Sequence, residues 1–530
     1  MAKLESLKSF YACGRISRRQ FMEGSLALGM SVAGATAFTA KVAAATPKKG
    51  GTFRLGLGGA STTDSLDPTT FISTFTQIGL TYGVYNNLTE VAPDGSLVPE
   101  LAESYEATPD AKTWIFKLRK GIEFHNGKTL DADDVIASIN HHRTAETKSA
   151  MKPLFEPIEE LKADGTLTVV VRLREGNADF PFLMNDYHMP IVSAKDGKID
   201  WQSGIGTGGY KLKSFDPGVR CELTRNANYW KEGRAHFDAV VMLGIADATA
   251  RENALITGEI DAMNHVDLKT AHILAGQPGI KLSEVTGTQH YTVPMNTTLA
   301  PFDNNDVRMA LKYAVDREAM VKSILSGHGQ VGNDHPIAPA NRYFAADLEQ
   351  RVYDPDKAKF HLKKAGLSEL AVDLSAANTA FGGAVDAALL YAANAAAAGI
   401  KINVIREPDD GYWTNVWMKK PWTMSYWGGR PTEDWMFTVG YAAKGDWNET
   451  FWSNDRFMSL LVSARSELDD AKRRAMYHEM QSIVRDDGGA VVPMYANYVD
   501  AHSDKVAHDE QVASNWELDG WKVLERWWFA

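Results

Sequence analysis

Apolar residues recur with two different periods along this chain, and each period predicts its own kind of element. In residues 113–119 and 167–173, apolar and polar side chains alternate, which predicts strands that bury one face. Over residues 306–325 the apolar side chains recur every three or four positions, which predicts an amphipathic helix. Residues 371–405 show the pattern of a strand, an alanine-rich helix and a second strand. The mixture predicts an α/β fold class.

Turn and capping residues mark where several elements begin and end. Asn126-Gly127 is a typical hairpin turn, and Asp131 is placed to cap the helix that follows it. Glycines at 204, 206, 208 and 209 interrupt the pattern and indicate a crossing between domains. Further elements predicted from the same signals are a strand over residues 51–56 and helices over residues 354–365 and 467–484.

The N-terminal segment has the pattern of an export signal. Arg18 and Arg19 precede an apolar, Gly- and Ala-rich stretch at 24–40, which predicts export by the twin-arginine route. Three alanines at 43–45 form a small-residue cleavage site, so residues 1–45 are predicted to be removed. The alternative is a membrane anchor, but an apolar run of about 17 residues is short for a span and this one is rich in glycine.

Composition limits the classes that remain. A chain of 530 residues with 44% hydrophobic and 23% charged side chains is too long for one core, so two or three packed units are expected. The formal net charge is −11, and the predicted signal is basic, so the remainder is more acidic still. Such a surface disfavours nucleic acid and anionic membranes as partners. Cys13 and Cys221 are the two cysteines, so no internal disulfide is expected after cleavage.

The sequence contains no recognisable catalytic motif. The patterns G-x-S-x-G, H-E-x-x-H, C-x-x-C and the P-loop are absent, so no catalytic residue, cofactor or metal ligand is predicted. His141 and His142 are adjacent on a predicted helix and should point apart, which favours a capping or solvated pair over a metal site. A secreted hydrolase is kept as the alternative from a different functional class.

Several segments, in a fixed order along the chain, resemble one protein family. They are Ala102-Glu-Ser-Tyr-Glu, the stretch Trp114-Ile-Phe-Lys-Leu-Arg-Lys-Gly-Ile-Glu-Phe-His-Asn-Gly, Gly206-Thr-Gly-Gly-Tyr-Lys-Leu, Asn296-Thr-Thr-Leu-Ala-Pro-Phe, Asp306-Val-Arg-Met-Ala-Leu-Lys-Tyr-Ala-Val-Asp-Arg and Tyr353-Asp-Pro-Asp-Lys-Ala. This series resembles the family 5 extracellular solute-binding proteins, which are the peptide-, nickel-chelate- and opine-binding subunits of ABC importers. The resemblance runs from about residue 50 to about residue 500.

The resemblance implies a bilobal periplasmic-binding-protein fold with a hinge and a small inserted domain. Lobe I is expected to combine residues 46–88, 201–296 and 497–530, with the inserted domain at 89–200 and lobe II at 297–496. The implied protein is a monomeric periplasmic receptor that encloses a solute between its lobes and delivers it to an ABC permease in the inner membrane. It is expected to make no covalent change to that solute.

Ligand contacts are predicted in a tryptophan-rich segment and in one loop. Residues 412–435 contain five tryptophans, whose faces suit capture of a small extended or amphipathic ligand, although each ring could instead belong to the core. The resemblance places the loop of Trp427 at the cleft. The loop after the first strand offers hydroxyls that could contact ligand or cap a turn. The predicted site residues are Tyr412, Trp413, Trp417, Trp427, Gly428, Gly429, Arg430, Glu433 and Asp434, with Ser61, Thr62 and Asp64 from that loop.

Arg430 stands where peptide binders of this family carry an aspartate that receives the peptide ammonium. A guanidinium binds carboxylate or phosphate and cannot receive an ammonium. The ligand could be anionic, a peptide could place its carboxylate at Arg430, or Glu433 or Asp434 could receive the ammonium instead. Structural pairing of Arg430 with one of these acids is the alternative without a ligand. Short peptides are the predicted ligand class; an opine-like or other small metabolite is the alternative, and a metal chelate is third.

Overall fold

The computed structural model describes residues 4, 7, 18–28, 30–31, 47–147, 149–443, 445 and 447–530. The twin-arginine pair begins a helix, Arg18–Ala27, whereas the predicted cleavage site at 43–45 and most of the apolar stretch before it lie outside the described residues. Among the described helices, none combines the length and the apolar character that a membrane crossing requires.

The strands of the described chain fall into one large mixed sheet and several small ones. In chain order they are β1 Thr52–Leu57, β2 Thr89–Val91, β3 Leu97–Pro99, β4 Ala102–Ala107, β5 Thr113–Leu118, β6 Ile158–Ala163, β7 Thr168–Leu173, β8 Ala194–Lys195, β9 Lys198–Ile199, β10 Tyr210–Asp216, β11 Arg220–Arg225, β12 Ala239–Gly244, β13 Ala262–Met263, β14 Ile280–Pro294, β15 Gly329–Val331, β16 Leu370–Ala376, β17 Ile400–Arg406, β18 Ser425–Trp427, β19 Ala490–Ser503, β20 Val506–Ala507 and β21 Trp528–Phe529.

Helices cover both faces of the large sheet and separate most of its strands in sequence. After the N-terminal helix, the α-helices are Ala132–His141, Lys152–Phe155, Phe180–Leu183, Ala248–Thr257, Ala271–Ala275, Asn305–Tyr313, Arg317–Ile324, Pro355–Lys364, Ala384–Ala396, Tyr412–Asn415, Glu433–Gly440, Asp455–Ser466, Asp470–Asp487, Glu517–Gly520 and Val523–Arg526. A π-helix spans Phe75–Val84, and short 3-10 helices span Pro68–Thr70 and Trp201–Ser203.

Two long antiparallel strands, β14 and β19, join the two lobes. The large sheet has the order β10-β11-β12-β1-β13-β19-β14-β18, and β15 also pairs with β19. One end of the β14–β19 ladder lies beside β13 in the first lobe, and the other end lies beside β15 and β18 in the second. The register shifts between the pairs Thr286↔Asn497 and His290↔Tyr495, so the ladder is interrupted where the chain passes between lobes. This interruption is suited to act as a hinge.

Each lobe has its own core, and the small sheet β4-β5-β7-β6 has a third. The core of the first lobe includes Phe53 and Trp527, and that of the second includes Leu311 and Trp422. Trp114 belongs to the core of the small sheet, which the helix Ala132–His141 covers. The mixed α/β, two-lobed architecture predicted from the sequence is therefore confirmed, whereas the domain boundaries given above stay a prediction.

The local predictions mostly agree with the structure, with one correction. The alternating segments form β5 and β7, and Asp131 caps its helix through hydrogen bonds from the backbone N–H groups of Asp133 and Asp134. The single helix predicted over 306–325 is wrong, because two helices, Asn305–Tyr313 and Arg317–Ile324, occupy this stretch. Asp316 begins the second helix by accepting a hydrogen bond from the backbone N–H of Ala319.

Candidate functional site

A cleft lies between the two lobes next to the β14 crossing. Tyr82, Asn185, Asp186, Asn515 and Trp516 line one wall, and Asn341, Arg342, Tyr343, Arg430, Thr432 and Glu433 line the opposite wall. Thr288, from the interrupted part of β14, contributes to the lining where the walls meet. The chain thus encloses a space with polar, charged and aromatic side chains at the junction that lobe movement would open.

Two arginines line the second-lobe wall: Arg342 pairs with Asp470 at 2.6 Å, whereas Arg430 has no acidic partner among the described residues. Arg430 Nη1 donates to the carbonyl oxygens of Gly428 and Gly429 at 3.2 and 3.0 Å, which fixes the guanidinium beside the cleft. The guanidinium carbon lies 5.4 Å from the ring centre of Trp427 and 5.9 Å from that of Trp447. Contacts of this kind stabilise a cation without neutralising it. Burial lowers the pKa of Arg430, and electrostatic interaction with Tyr187 and Asp186 opposes that shift.

Trp427 is positioned by a buried glutamate rather than left free to move. The ring ends strand β18 and is buried, and its Nε1 donates to Glu449 Oε1 at 2.9 Å. Trp417 donates to the other oxygen of the same carboxylate at 2.6 Å. Burial raises the pKa of Glu449, and the two indole donors act in the opposite direction. Trp427 therefore forms a fixed platform beneath Arg430.

Gly429 permits the close approach of this loop to the crossing strand. A Cβ atom on Gly429 would lie 1.8 Å from Thr288 Oγ1, so a larger residue would force the two segments apart. The glycine thus brings the Arg430 loop against β14 at the base of the cleft. Its neighbour Gly428 meets no atom at the corresponding position, so its contribution here is the carbonyl that holds Arg430.

Neither acid that follows Arg430 in sequence pairs with it. Glu433 Oε1 accepts a hydrogen bond from the backbone N–H of Tyr343 at 2.7 Å, and burial raises the Glu433 pKa to about 7. Asp434 forms an ion pair with Arg465 at 3.1 Å, and burial raises its pKa to about 6. Within the part of the chain that the structure describes, no carboxylate forms an ion pair with Arg430.

The opposite wall carries an acid that the sequence analysis did not single out. Asp186 is buried and lies in the turn after the helix Phe180–Leu183. Its Oδ1 accepts hydrogen bonds from the backbone N–H of His188 at 2.9 Å and from the ring Nδ1 of His188 at 2.6 Å. Tyr187 lies against the His188 ring, with the two ring centres 4.0 Å apart. The cleft therefore has a cation on one wall and an anion on the other.

An ion pair across the mouth of the cleft holds the lobes together. Arg473 of the helix Asp470–Asp487 donates from Nη1 and Nη2 to the two carboxylate oxygens of Asp179, at 2.7 and 2.6 Å. Both side chains are buried. The backbone N–H of Ala178 also donates to the carbonyl oxygen of Arg465 at 2.7 Å. Residues 178–179 and the segment that holds Arg465 and Arg473 are therefore in direct contact, as in a closed form of the two lobes.

The other aromatic candidates divide between the core and the surface. Tyr412 is buried in the second-lobe core, where its hydroxyl donates to the carbonyl oxygen of Met424 at 2.7 Å. Trp413 is 39% exposed and packs edge-to-face on Trp417 and Tyr426, with ring centres 5.7 Å apart in each pair. Trp417 connects this surface group to Glu449. Of the three, none is among the described residues that line the cleft.

The predicted residues of the loop after β1 form a closed turn of their own. The side chain of Asp64 accepts a hydrogen bond from the backbone N–H of Ser61 at 3.1 Å, and Ser61 Oγ lies 2.8 Å from Thr63 Oγ1. Thr62 is exposed. None of its predicted site residues is among the described residues that line the cleft with Arg430. A role of this loop in ligand contact therefore stays a prediction.

Two clusters with metal-type side chains have ordinary partners. His141 pairs with Asp67 at 2.8 Å, whereas His142 contacts Ser149 Oγ at 2.6 Å, so the two rings point to different partners. Glu90, Glu100 and Glu525 approach one another closely, but the amine of Lys231 contacts all three at 2.5–2.9 Å. With Lys522 and Arg526 they form a buried ion network that joins the C-terminal helices to β2 and to the segment after β3.

Asp179 and Glu449 were missed because nothing local distinguishes them, and Asp186 was missed because its local signal is weak. Asp179 and Arg473 are separated by 294 positions, so their pairing leaves no local pattern. A weak signal existed for Asp186, since Asn185-Asp186-Tyr187-His188 is a polar run between apolar stretches. Charged residues are rarely fully buried unless they are paired, so an acid inside such a run is a candidate for function.

Comparisons with known proteins agree with this geometry. The family model "Bacterial extracellular solute-binding proteins, family 5 Middle" matches residues 96–449. The heme-binding protein A of Haemophilus influenzae is 29% identical, over 53% of this chain and 56% of its own length. The glutathione-binding protein GsiB of Pectobacterium atrosepticum is 28% identical, over 58% and 60%. The chain thus spans less than two thirds of the length of these relatives.

A solved structure covers more of the fold. The periplasmic binding protein DppA of Helicobacter pylori, in complex with the peptide STSA, aligns over 91% of this chain and 99% of its own, with a TM-score of 0.72 and 22% identity. At that identity the likeness supports the two-lobed fold alone. The family match covers more than half of the chain and includes the small sheet, the crossing strand β14 and the Arg430 loop. The chain therefore belongs to the family 5 bacterial extracellular solute-binding proteins.

Proposed function

We propose that this chain is the periplasmic receptor of an ABC importer, which captures short peptides between its lobes and delivers them to the permease subunits of the inner membrane. One observation carries the proposal: Arg430 lies in the interlobe cleft, fixed by two carbonyls and two indole rings, without an acidic partner among the described residues. A guanidinium held in this way is suited to bidentate recognition of a ligand carboxylate.

The contacts around Arg430 favour two of the three ligand modes derived from the sequence. Asp434 is already paired with Arg465, and Glu433 accepts a backbone hydrogen bond and has a pKa of about 7. Neither is a good acceptor for a peptide ammonium. A peptide whose carboxylate binds Arg430, or an anionic non-peptide solute, fits better. Peptides are placed first because a glutathione-binding protein is among the relatives, and glutathione is a tripeptide.

The experiment is a thermal-shift screen of the purified protein, followed by calorimetric titration of each hit. The panel contains dipeptides, tripeptides, glutathione, opines, sugars, heme and nickel–histidine. A ligand at 100 times its Kd should add about 2.7 kcal/mol to the stability. Peptides are expected to shift the melting temperature, and Arg430→Met is expected to weaken their binding by ~100-fold, since one charge-assisted bidentate contact is lost.

The matched control for Arg430→Met is Arg456→Met, which removes an exposed arginine paired with Glu479. This variant should bind like the natural protein. Hits confined to anionic non-peptides would transfer the proposal to the alternative ligand class. Full affinity of Arg430→Met for every hit would remove Arg430 from ligand recognition, and turnover of any panel compound would favour the hydrolase alternative over a transport receptor.

We also propose that the chain is exported by the twin-arginine route and acts as a monomer without cofactor or metal. The Arg18-Arg19 pair before an apolar segment supports the route. Replacing both arginines by lysine should leave the precursor in the cytoplasm, measured by cell fractionation. Normal export of that variant would exclude the route and leave the rest of the proposal intact.

A further inference from the structure

The two walls of the cleft carry opposite charges that do not meet. Arg430 on the second lobe and Asp186 on the opposite wall line the same cavity in the closed form. Within the described residues neither forms an ion pair with the other, and the acidic partner of Arg430 is missing on its own lobe. Two opposite charges left apart on facing walls of one cleft are suited to the two ends of one ligand.

Asp186 has the geometry of a prepared acceptor. One oxygen, Oδ1, accepts both hydrogen bonds from His188, and no described residue donates to Oδ2. The side chain is only 3% exposed, so its position is fixed by the surrounding fold. The backbone is fixed as well, because the carbonyl oxygen of Asp186 accepts from Asn87 Nδ2 at 2.8 Å and from the N–H of Met189 at 2.8 Å.

The neighbouring groups leave the negative charge of Asp186 available. Lys522 lies 5.3 Å from the ring centre of Tyr82, which also lines this wall, and is held by Glu90 and Glu100 at 3.2 and 2.9 Å. Tyr82 donates its hydroxyl to the carbonyl oxygen of Asn185 at 2.9 Å, not to Asp186. The positive charge needed opposite Oδ2 is therefore not supplied by these side chains.

From this arrangement we propose that Asp186 is the ammonium acceptor of the cleft, and that the receptor selects zwitterionic ligands, whose ammonium binds Asp186 and whose carboxylate binds Arg430. The inference rests on the proposed function and specifies its ligand class. One ligand then contacts both walls, so its binding and the closure of the lobes are the same event. A ligand that lacks either charge leaves one buried side chain without its partner.

The test uses one tripeptide, the tightest of the screen above, in four forms: free, N-acetylated, C-amidated, and modified at both ends. The natural protein should bind the free form at least ~10-fold more tightly than the N-acetylated form, because a charge-assisted hydrogen bond is lost. Asp186→Asn should bind the free form ~10-fold more weakly than the natural protein and should lose the preference for a free amine.

Arg430→Met reports on the other end of the ligand. It should lose the preference for a free carboxylate while it keeps the preference for a free amine. Asp306→Asn is the control variant, since Asp306 pairs with His361 at 2.7 Å in the second lobe, away from the cleft lining. It should keep both preferences. Should Asp186→Asn fail to fold, the acetylation series on the natural protein decides the question alone.

The outcomes separate this inference from the proposed function. Equal binding of free and N-acetylated peptide by the natural protein overturns the role of Asp186 and leaves the peptide receptor standing. A screen whose hits are anions without an amine overturns the zwitterion class, while Arg430 keeps its role. A screen with no hits overturns the proposed function, and the inference falls with it.

Discussion

Two arginines of the second lobe, Arg473 and Arg430, both face the other lobe, but they differ in whether the guanidinium has an acidic partner there. Arg473 is buried, and all of its nitrogens donate hydrogen bonds: two to Asp179, one to the carbonyl oxygen of Ala464 and a longer one to the Tyr477 hydroxyl. Arg430 is half-buried, and among the described residues only Nη1 has hydrogen-bond partners, both of them neutral carbonyls.

The difference separates a charge that closes the molecule from a charge that remains for a ligand. Burial by itself lowers the pKa of Arg473, but Asp179 reverses the shift and raises it above its ordinary value. For Arg430 burial is the largest influence, and its pKa stays lowered. A buried cation without an anion is unfavourable in the empty protein, and a ligand carboxylate would relieve that state.

The largest change in stability is expected when the ion pair between Arg473 and Asp179 is broken. Arg473→Met leaves the Asp179 carboxylate buried without a partner, which should lower the free energy of unfolding by about 3 kcal/mol or open the lobes to hydrate it. Urea denaturation measures the first outcome, and the radius of gyration in solution scattering measures the second. The exposed pair Arg456–Glu479 is the control, where Arg456→Met should change stability by less than about 1 kcal/mol. No change in either quantity for Arg473→Met would contradict the assignment.

An effect of similar size, but confined to pH values above about 5, concerns Glu433, which lies in sequence close to Arg430 yet pairs with neither arginine. Its pKa is raised to about 7 by burial, with Asp179 adding to the shift and Arg473 opposing it. Because the folded pKa lies above the unfolded value, the folded protein binds the extra proton and loses stability as pH rises from about 4.5 to about 7.

Glu433→Gln should remove that loss, since the amide can still accept from the Tyr343 N–H but never ionises. The variant should match the natural protein near pH 4.5 and exceed its stability by roughly 3 kcal/mol above pH 7. Urea denaturation at four pH values compares the two proteins directly. Stability curves that run parallel between pH 5 and pH 8 would show that Glu433 does not titrate in this range.

The smallest change in stability is expected when Arg430 is replaced and no ligand is present. Arg430→Met removes two hydrogen bonds but also removes a cation without an anion, so the unfolding free energy should change by less than about 1 kcal/mol. The same variant is expected to lose most ligand affinity, and that split distinguishes a recognition residue from a structural one. A loss of stability as large as that of Arg473→Met would show that Arg430 supports the fold instead.

The sequence was sufficient for the features that depend on near neighbours. Alternating side chains gave β5 and β7, Asp131 gave a capped helix, and residues 370–406 formed the predicted strand, helix and strand. These follow from periodicity and from hydrogen bonds spanning a few residues. The break at Asp316 was missed because the apolar period continues across it, while the new cap is a single side chain.

Only some residues of the candidate site could be predicted from the sequence. Trp427 and Arg430 were predicted through the resemblance and a departure from its pattern; Arg430 lines the cleft, whereas Trp427 lies beneath Arg430 and is not among the described residues that line the cleft. Tyr412 shares the same aromatic segment but is buried in the core, since composition alone does not tell which face of a short element turns inward. The loop at Ser61–Asp64 satisfies its own polar groups instead of pointing to Arg430.

By itself the sequence determined the α/β class, the family and the chemistry available at Arg430, because these depend on residue types and short spacings. Only the tertiary structure decided which charges meet. It pairs Asp179 with Arg473, 294 positions away, and places Glu449 where it accepts hydrogen bonds from Trp417 and Trp427. It also places Asp186 on the wall opposite Arg430, without contact between the two. Such pairings depend on how the β14 and β19 crossing orients two separately packed lobes, and no local pattern in a chain encodes that orientation.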